Sequence, residues 1–187
     1  DTDFGQEIVD AAYDQLKDMN MELIESATTK PTDTDLTAQV KKLKNAKCDL
    51  VAMGTNVKTT ILPFIKSKEI NWNDVDFVAT SASYYSIVAE QPNGVMNGLY
   101  ILNSLVFPYY DTANQIEKKW WDQFKNKYGY EPNTGALYGY IFADILIEAV
   151  ERAGKNLTVE SFISSMETIK DFEDPLETGS VAFSETR

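Results

Sequence analysis

Apolar positions along this chain switch repeatedly between a spacing of three to four residues and short unbroken runs, which predicts helices alternating with strands. After a loop and N-cap at residues 1–5, Ile8, Ala12, Leu16 and Met19 recur at helical spacing down to Asn20. Residues 21–26 form the next strand candidate, and Pro31 keeps the polar connection 27–32 out of a helix. Asp33, Thr34 and Asp35 are helix-starting residues, and Leu36, Val40 and Leu43 follow on one face, with Lys41, Lys42, Lys44 and Lys47 on the other. Cys48 and Asp49 end that pattern. The run Leu50, Val51, Ala52, Met53 is too short for a helix and predicts a parallel strand covered on both faces. Gly54, Thr55 and Asn56 then fall at its C-terminal end, where open α/β sheets hold their ligands; a plain strand-to-helix connection accounts for them equally well.

The theme repeats. Residues 59–68 predict a helix with Ile61, Leu62 and Ile65 inward, and 76–80 a second short strand whose loop reads Ser81, Ala82, Ser83, Tyr84, Tyr85. This alternation is that of a doubly wound, mostly parallel α/β layer with helices on both faces. Residues 98–107 are β-prone up to Pro108. Beyond it the character becomes helical: 111–128 carries Ile116, Trp120 and Phe124 four apart, 129–133 breaks it, and 135–154 is apolar nearly all the way round before Gly154 closes it. Each fully exposed Leu or Ile there would forgo about 1.5–3 kcal/mol, so a covering surface is expected. A third helix at 158–170 and a short strand at 180–183 complete the pattern. A chain opening on a loop also predicts that the first strand of a βαβ unit precedes Asp1, so it reads as a fragment.

Composition narrows the function. In 187 residues, 17 Lys and Arg stand against 29 Asp and Glu, a net charge of −12 that would repel nucleic acid and anionic membranes. No apolar run reaches the roughly 20 residues of a membrane helix, and the chain reads as soluble. Cys48 is the only cysteine, which excludes an internal disulfide and suits a buried apolar role. Histidine is absent, which removes the commonest general base and metal ligand.

Specific chemistry is correspondingly thin. The acid pairs Asp1/Asp3 and Asp33/Asp35 lack the Gly and closing Glu of a calcium loop and read as helix caps. No G-x-G-x-x-G turn, phosphate loop or G-x-S-x-G elbow occurs, so neither an enzyme nor a bound cofactor or metal is expected. Asn156-Leu157-Thr158 fits a glycosylation pattern but reads as a turn and N-cap. The stripe of Trp120, Trp121, Phe124 and Tyr128 is spaced as core. Tyr84, Tyr85 and Tyr140 differ: two sit at a strand end and one near a helix start, where a phenol can serve a small ligand.

Five segments in order resemble the type I periplasmic binding proteins, in particular the branched-chain-amino-acid-like receptors of ABC importers. They are D-F-G before the first helix, the T-D-T-D-L-T-A-Q-V-K-K-L-K run through Val51, N-G-V-M-N-G-L-Y, F-K-N-K-Y-G-Y-E-P-N, and G-Y-I-F-A-D-I-L-I-E-A-V-E-R-A-G. The resemblance implies the type I periplasmic-binding-protein fold, two α/β lobes closing by a hinge on a small ligand. Residues 1–107 would be the second lobe without its first strand, and 108–187 the return into a first lobe that is mostly missing. It implies ligand contacts from Phe4, from Thr55 or Asn56, from the loop containing Ser81, Ser83 and Tyr84, and from Tyr140. The expected ligand is a small organic one, amino acid-like, an amide or a carboxylate, aromatic ones included; the acidic residue usual in that second loop is replaced by Thr80, Ser81, Ala82 and Ser83, whose hydroxyls suit a neutral polar or carboxylate-bearing ligand as well as an α-amino acid or better. The resemblance further implies a periplasmic or membrane-anchored extracellular location, an ABC permease partner and a monomer. A sensor ectodomain, a regulator's effector core and an enzyme of flavodoxin-like topology are the alternatives.

Overall fold

The computed structural model describes residues 2–185, in two compact units, Asp1–Asn103 and Ser104–Arg187. In the first unit, helix α1 (Asp3–Asp18) starts where the Thr2 hydroxyl accepts from the Gly5 N–H at 3.2 Å. Asp1, half of one expected capping pair, lies outside the described residues. Helix α2 (Thr37–Asn45) begins later than its acidic signal suggests, because Asp35 Oδ1 accepts from the Thr37 N–H at 2.9 Å and leaves Leu36 in the N-cap position.

Strand β1 (Leu50–Met53), β2 (Asp76–Ala79) and β3 (Leu99–Ile101) form a parallel sheet in that order, with Leu50 opposite Asp76 and Phe77 opposite Leu99. Helix α3 (Val57–Glu69) supplies the crossover that parallel neighbours require. Val51, Met53, Phe77 and Ala79 point to one face and join Val40, Phe64, Trp72, Val88 and Met96 in a single core. There the Phe77 ring meets Phe64 and Trp72 in near-perpendicular geometry at 5.4 and 5.7 Å. Cys48 is buried in this core, and desolvation, then the charges of Glu25 and Asp49, push its thiol pKa up, as befits an apolar role.

Three expectations change. The strand expected at 21–26 pairs with no other strand among the described residues. It is a run without regular secondary structure, tied to α2 by Lys42 Nζ donating to the Ser26 carbonyl at 2.7 Å and pairing with Glu25 at 3.0 Å, and by Gln39 reaching the Thr28 carbonyl at 3.4 Å. Extended propensity makes a strand only where a ladder partner stands beside it. β1 is covered on one face rather than two, for Leu50 stays 57% exposed on the other. β3 stops at Ile101 instead of reaching 107: the Leu102 N–H still donates to the Ala79 carbonyl at 2.9 Å, but β2 itself ends there. The turn of helix α4 (Ser86–Ala89) had no periodic signal.

The second unit is mainly helical. Helix α5 (Gln115–Tyr128) opens on a reciprocal capping box between Asn114 and Glu117, three residues inside the expected start, and ends on left-handed Gly129. Trp120 is its buried aromatic, while Tyr128 at the other end of the stripe remains exposed. Helix α6 (Thr134–Ala153) buries Leu137, Ile141, Ile145 and Ala149 but leaves Phe142 61% exposed, along with Leu146 and Ile147, so the surface its sequence calls for is not among the described residues. Helix α7 (Val159–Glu167) is capped by Thr158, which places Asn156 in the preceding turn as expected. Strand β4 (Phe172–Glu173), which the sequence did not reveal, pairs antiparallel with β5 (Ser180–Val181). Between them buried Asp174 accepts from the N–H groups of Leu176, Thr178 and Gly179 at 2.8, 2.9 and 3.0 Å, closing the turn.

Candidate functional site

Parallel strands all end on the same edge of their sheet, so the loops after β1 and β2 emerge side by side. Here they are bonded together. The Thr55 and Thr60 hydroxyls lie 2.6 Å apart, Thr60 and Ser83 another 2.6 Å, and Ser83 Oγ donates to the Thr55 carbonyl at 3.1 Å. Thr60 and Ser83 are completely buried, and this closed chain of hydroxyls fixes the second loop against the first. Thr60 belongs to the first turn of α3 and was missed in the sequence, where a hydroxyl inside a helical pattern looks like any surface residue. The adjacent Thr59 was missed for the same reason; its hydroxyl donates to Asn56 Oδ1 at 3.0 Å.

The expected site residues occupy distinct places. Asn56 is exposed at the N-cap of α3, yet its side chain bonds Thr59 rather than the backbone. Asn56 thus stands exposed beside the first turn of α3, which has no side-chain cap and whose N–H groups favour negative charge. Thr55 is half-buried and Ser81 exposed, on the single helical turn that follows Thr80. Tyr84 is half-buried and closes that turn, its N–H donating to the Ser81 carbonyl at 3.0 Å. Ser83 lies beneath them, its hydroxyl engaged with Thr55 and Thr60. Phe4 stands exposed on the first turn of α1, where Gly5 lies against Gly54: a Cβ on Gly5 would sit 3.4 Å from the Gly54 carbonyl oxygen. Phe4, Thr55, Asn56, Ser81 and Tyr84 thus belong to one unit.

Tyr140 belongs to the other. It is 37% exposed on α6, with its ring 5.9 Å from that of Trp120. Burial, then the charges of Asp144 and Asp174, hold its phenol protonated above the ordinary range, so it presents an O–H donor at neutral pH. Asp144, one turn along, has a raised pKa through burial first and Asp174 second. Neither this neighbourhood nor the strand-end loops hold three acidic or thiol groups placed to bind a metal, and the same is true of all the described residues. Nor is any helix among them long and apolar enough to cross a membrane.

The sequence model described as "Periplasmic binding protein" matches residues 1–187. Solved structures share the fold. A leucine binding protein from Thermotoga maritima superposes with a TM-score of 0.76 at 18% identity, over 98% of this chain and 51% of that one. A branched-chain amino acid ABC transporter protein from Thermus thermophilus, solved with bound valine, gives 0.81 at 16% identity over 98% and 51%. A fatty acid ABC transporter substrate-binding protein from Thermomonospora curvata gives 0.76 at 21% identity over 98% and 47%. The chain therefore spans about half the length of these relatives. No match was found among curated protein sequences.

Proposed function

The chain belongs to the periplasmic binding protein family, with its type I fold, and on that footing we propose that it is part of an extracytoplasmic solute-binding protein that delivers a small organic ligand to an ABC permease. The observation that carries the reading is the pair of strand-end loops bonded into one rigid platform by Thr55, Thr60 and Ser83, with Asn56 and Ser81 exposed upon it. Binding sites of this kind consist of a few fixed polar groups on a rigid scaffold. No acid, nucleophile and base are assembled there, so the platform is suited to binding and release rather than to turnover.

The ligand carries a carboxylate or a neutral polar group. Support comes from the exposed Asn56, the first turn of α3 without a side-chain cap and the absence of any acid between Thr80 and Ser83 that would pair with an ammonium. Leucine, valine and fatty acids, the ligands of the three solved relatives above, have a carboxylate in common. Phe4 and Tyr84 supply apolar walls with the hydroxyls of Thr55 and Ser81 between them; Tyr140 is assigned to the opposing wall by the family resemblance. Closure follows from population shift, because a ligand that touches both lobes only when they are shut favours the shut form. The experiment is isothermal titration of the complete gene product with branched amino acids, straight-chain carboxylates, aromatic acids and amides. Saturable binding of a carboxylate or amide without turnover is the expected result; hydrolysis or conversion of the bound compound would replace this reading with an enzymatic one.

A further inference from the structure

Two Asn-Gly pairs, Asn93-Gly94 and Asn97-Gly98, follow one another in the connection that leads into β3. A glycine after an asparagine has no side chain to keep its own amide nitrogen away from the asparagine's side-chain carbonyl carbon, so each pair can react with itself. All four residues are exposed, while Met96 between them is buried in the core and holds the segment in place. Their surroundings differ. Asn93 and Gly94 are both left-handed, with φ of 61° and 62°, in a turn closed by the Val95 N–H donating to the Pro92 carbonyl at 3.3 Å. The Asn97 side chain lies over Gly94, where a Cβ would come within 3.0 Å of Asn97 Nδ2. Asn97 and Gly98 are the central residues of the next turn, in which the Leu99 N–H donates to the Met96 carbonyl at 3.1 Å. Gly98, with φ of 94°, marks this as a type II turn, and its own N–H takes no part in the closing bond. Among the described residues, the atom within 4 Å of a Cβ placed on Gly98 is Lys68 Nζ, at 3.9 Å. Lys68 reaches there from the last turn of α3, with its ammonium 4.9 Å from the centre of the Phe64 ring.

We propose that Asn97 is a site of self-modification, converting in the folded protein to aspartate and isoaspartate with the help of Lys68, while Asn93 is held back. The Gly98 nitrogen gives up its proton to solvent hydroxide and attacks Asn97 Cγ. The new N–C bond closes a five-membered imide, the bond from Cγ to Nδ2 breaks, and that nitrogen takes a proton from water and leaves as ammonia. Water then adds to either imide carbonyl and opens the ring. In sum one water is consumed and one ammonia released, with nothing oxidised or reduced. An ammonium beside Gly98 favours the anionic nitrogen and the oxyanion that follows it, and afterwards pairs with the carboxylate left behind. At Asn93 the attacking nitrogen belongs to the glycine beneath the Asn97 side chain, in a turn built from two left-handed residues. Isoaspartate adds one atom to the backbone just before Leu99, which stands opposite Phe77, so the change falls on the entry to β3.

The test incubates the complete gene product at mildly alkaline pH and follows both positions by tandem mass spectrometry, counting isoaspartate with an isoaspartate-specific methyltransferase. Asn97 is expected to convert faster than Asn93 by about threefold or more in the folded protein, the effect of one exposed charge. In urea, where only local sequence acts, the two rates should converge. High salt should narrow the difference in the folded protein, because the assisting charge is exposed. Lys68→Met should slow Asn97 and leave Asn93 unchanged, and Lys68→Arg, which keeps the charge, should restore the rate. Equal rates in the folded protein, faster conversion at Asn93, an Asn97 rate indifferent to both salt and Lys68→Met, or no conversion at either position would overturn the proposal. If Lys68→Met unfolds the protein, both sites accelerate together, and the salt series on the wild type decides. None of these readouts depends on a ligand, so the outcome stands apart from the proposed function.

Discussion

Ser83 Oγ donates to the Thr55 carbonyl oxygen at 3.1 Å, joining residues 28 positions apart and making one surface of the loops that end β1 and β2. Ser83 is fully buried and also shares a 2.6 Å hydrogen bond with Thr60. Removing the hydroxyl takes this partner from the fully buried Thr60 hydroxyl and from the half-buried Thr55 carbonyl. Ser83→Ala is expected to lower unfolding stability by about 1–3 kcal/mol, read from the urea midpoint. An unchanged midpoint would show that the hydroxyl chain does not hold the loops.

Asn56 and Thr59 separate binding from positioning. Asn56→Ala removes the exposed amide and should weaken the ligand by about tenfold or more, the worth of one hydrogen bond to a charged group. Thr59→Val leaves the amide in place but frees it to rotate, so titration calorimetry should show a smaller loss. Equal affinities in Asn56→Ala and the wild-type protein would remove Asn56 from the site.

Gly54 admits no side chain. A Cβ there would come within 2.8 Å of Ile8 Cβ, an atom fixed to the α1 backbone, so relief requires the helix to shift. Gly54→Ala is expected to cost about 1–3 kcal/mol by overpacking, visible as a lower Tm. A Tm equal to that of the wild type would mean that α1 moves freely over the strand end.

Asp144 makes a pH prediction with a definite sign. Burial and then the Asp174 charge raise its folded pKa above the ordinary 3.8, so its contribution to stability is fully present below that value and is lost as pH rises through the folded one. At neutral pH Asp144 is therefore a burden. Asp144→Asn should raise the Tm at pH 7, and the difference should shrink as the pH falls toward 4. A gain that does not change with pH would assign the effect to packing instead.

Much of this architecture was legible in residue spacing. The strands Leu50–Met53 and Asp76–Ala79 are short apolar runs with an acid just before or at the start and small residues after, and the ends of α5, α6 and α7 were marked by Gly129, Asn133, Gly154 and Thr158. The β-prone run at 21–26 misled because a strand is defined by its neighbour, and propensity cannot report whether that neighbour is present. At the site, Asn56 and Ser81 were visible because they stand at strand ends. Thr59 and Thr60 were hidden, since their roles arise from three-dimensional hydrogen bonds to residues that carry no pattern of their own.

Binding at the strand-end platform is most directly measured by two-dimensional amide NMR of the complete gene product, titrated with the tightest ligand found by calorimetry. Shifts are expected to concentrate at Thr55, Asn56, Ser81 and Tyr84, with the ligand recovered unchanged. Shifts confined to other surfaces, a ligand chemically altered after release, or no binding across amino acids, carboxylates and amides would contradict this expectation.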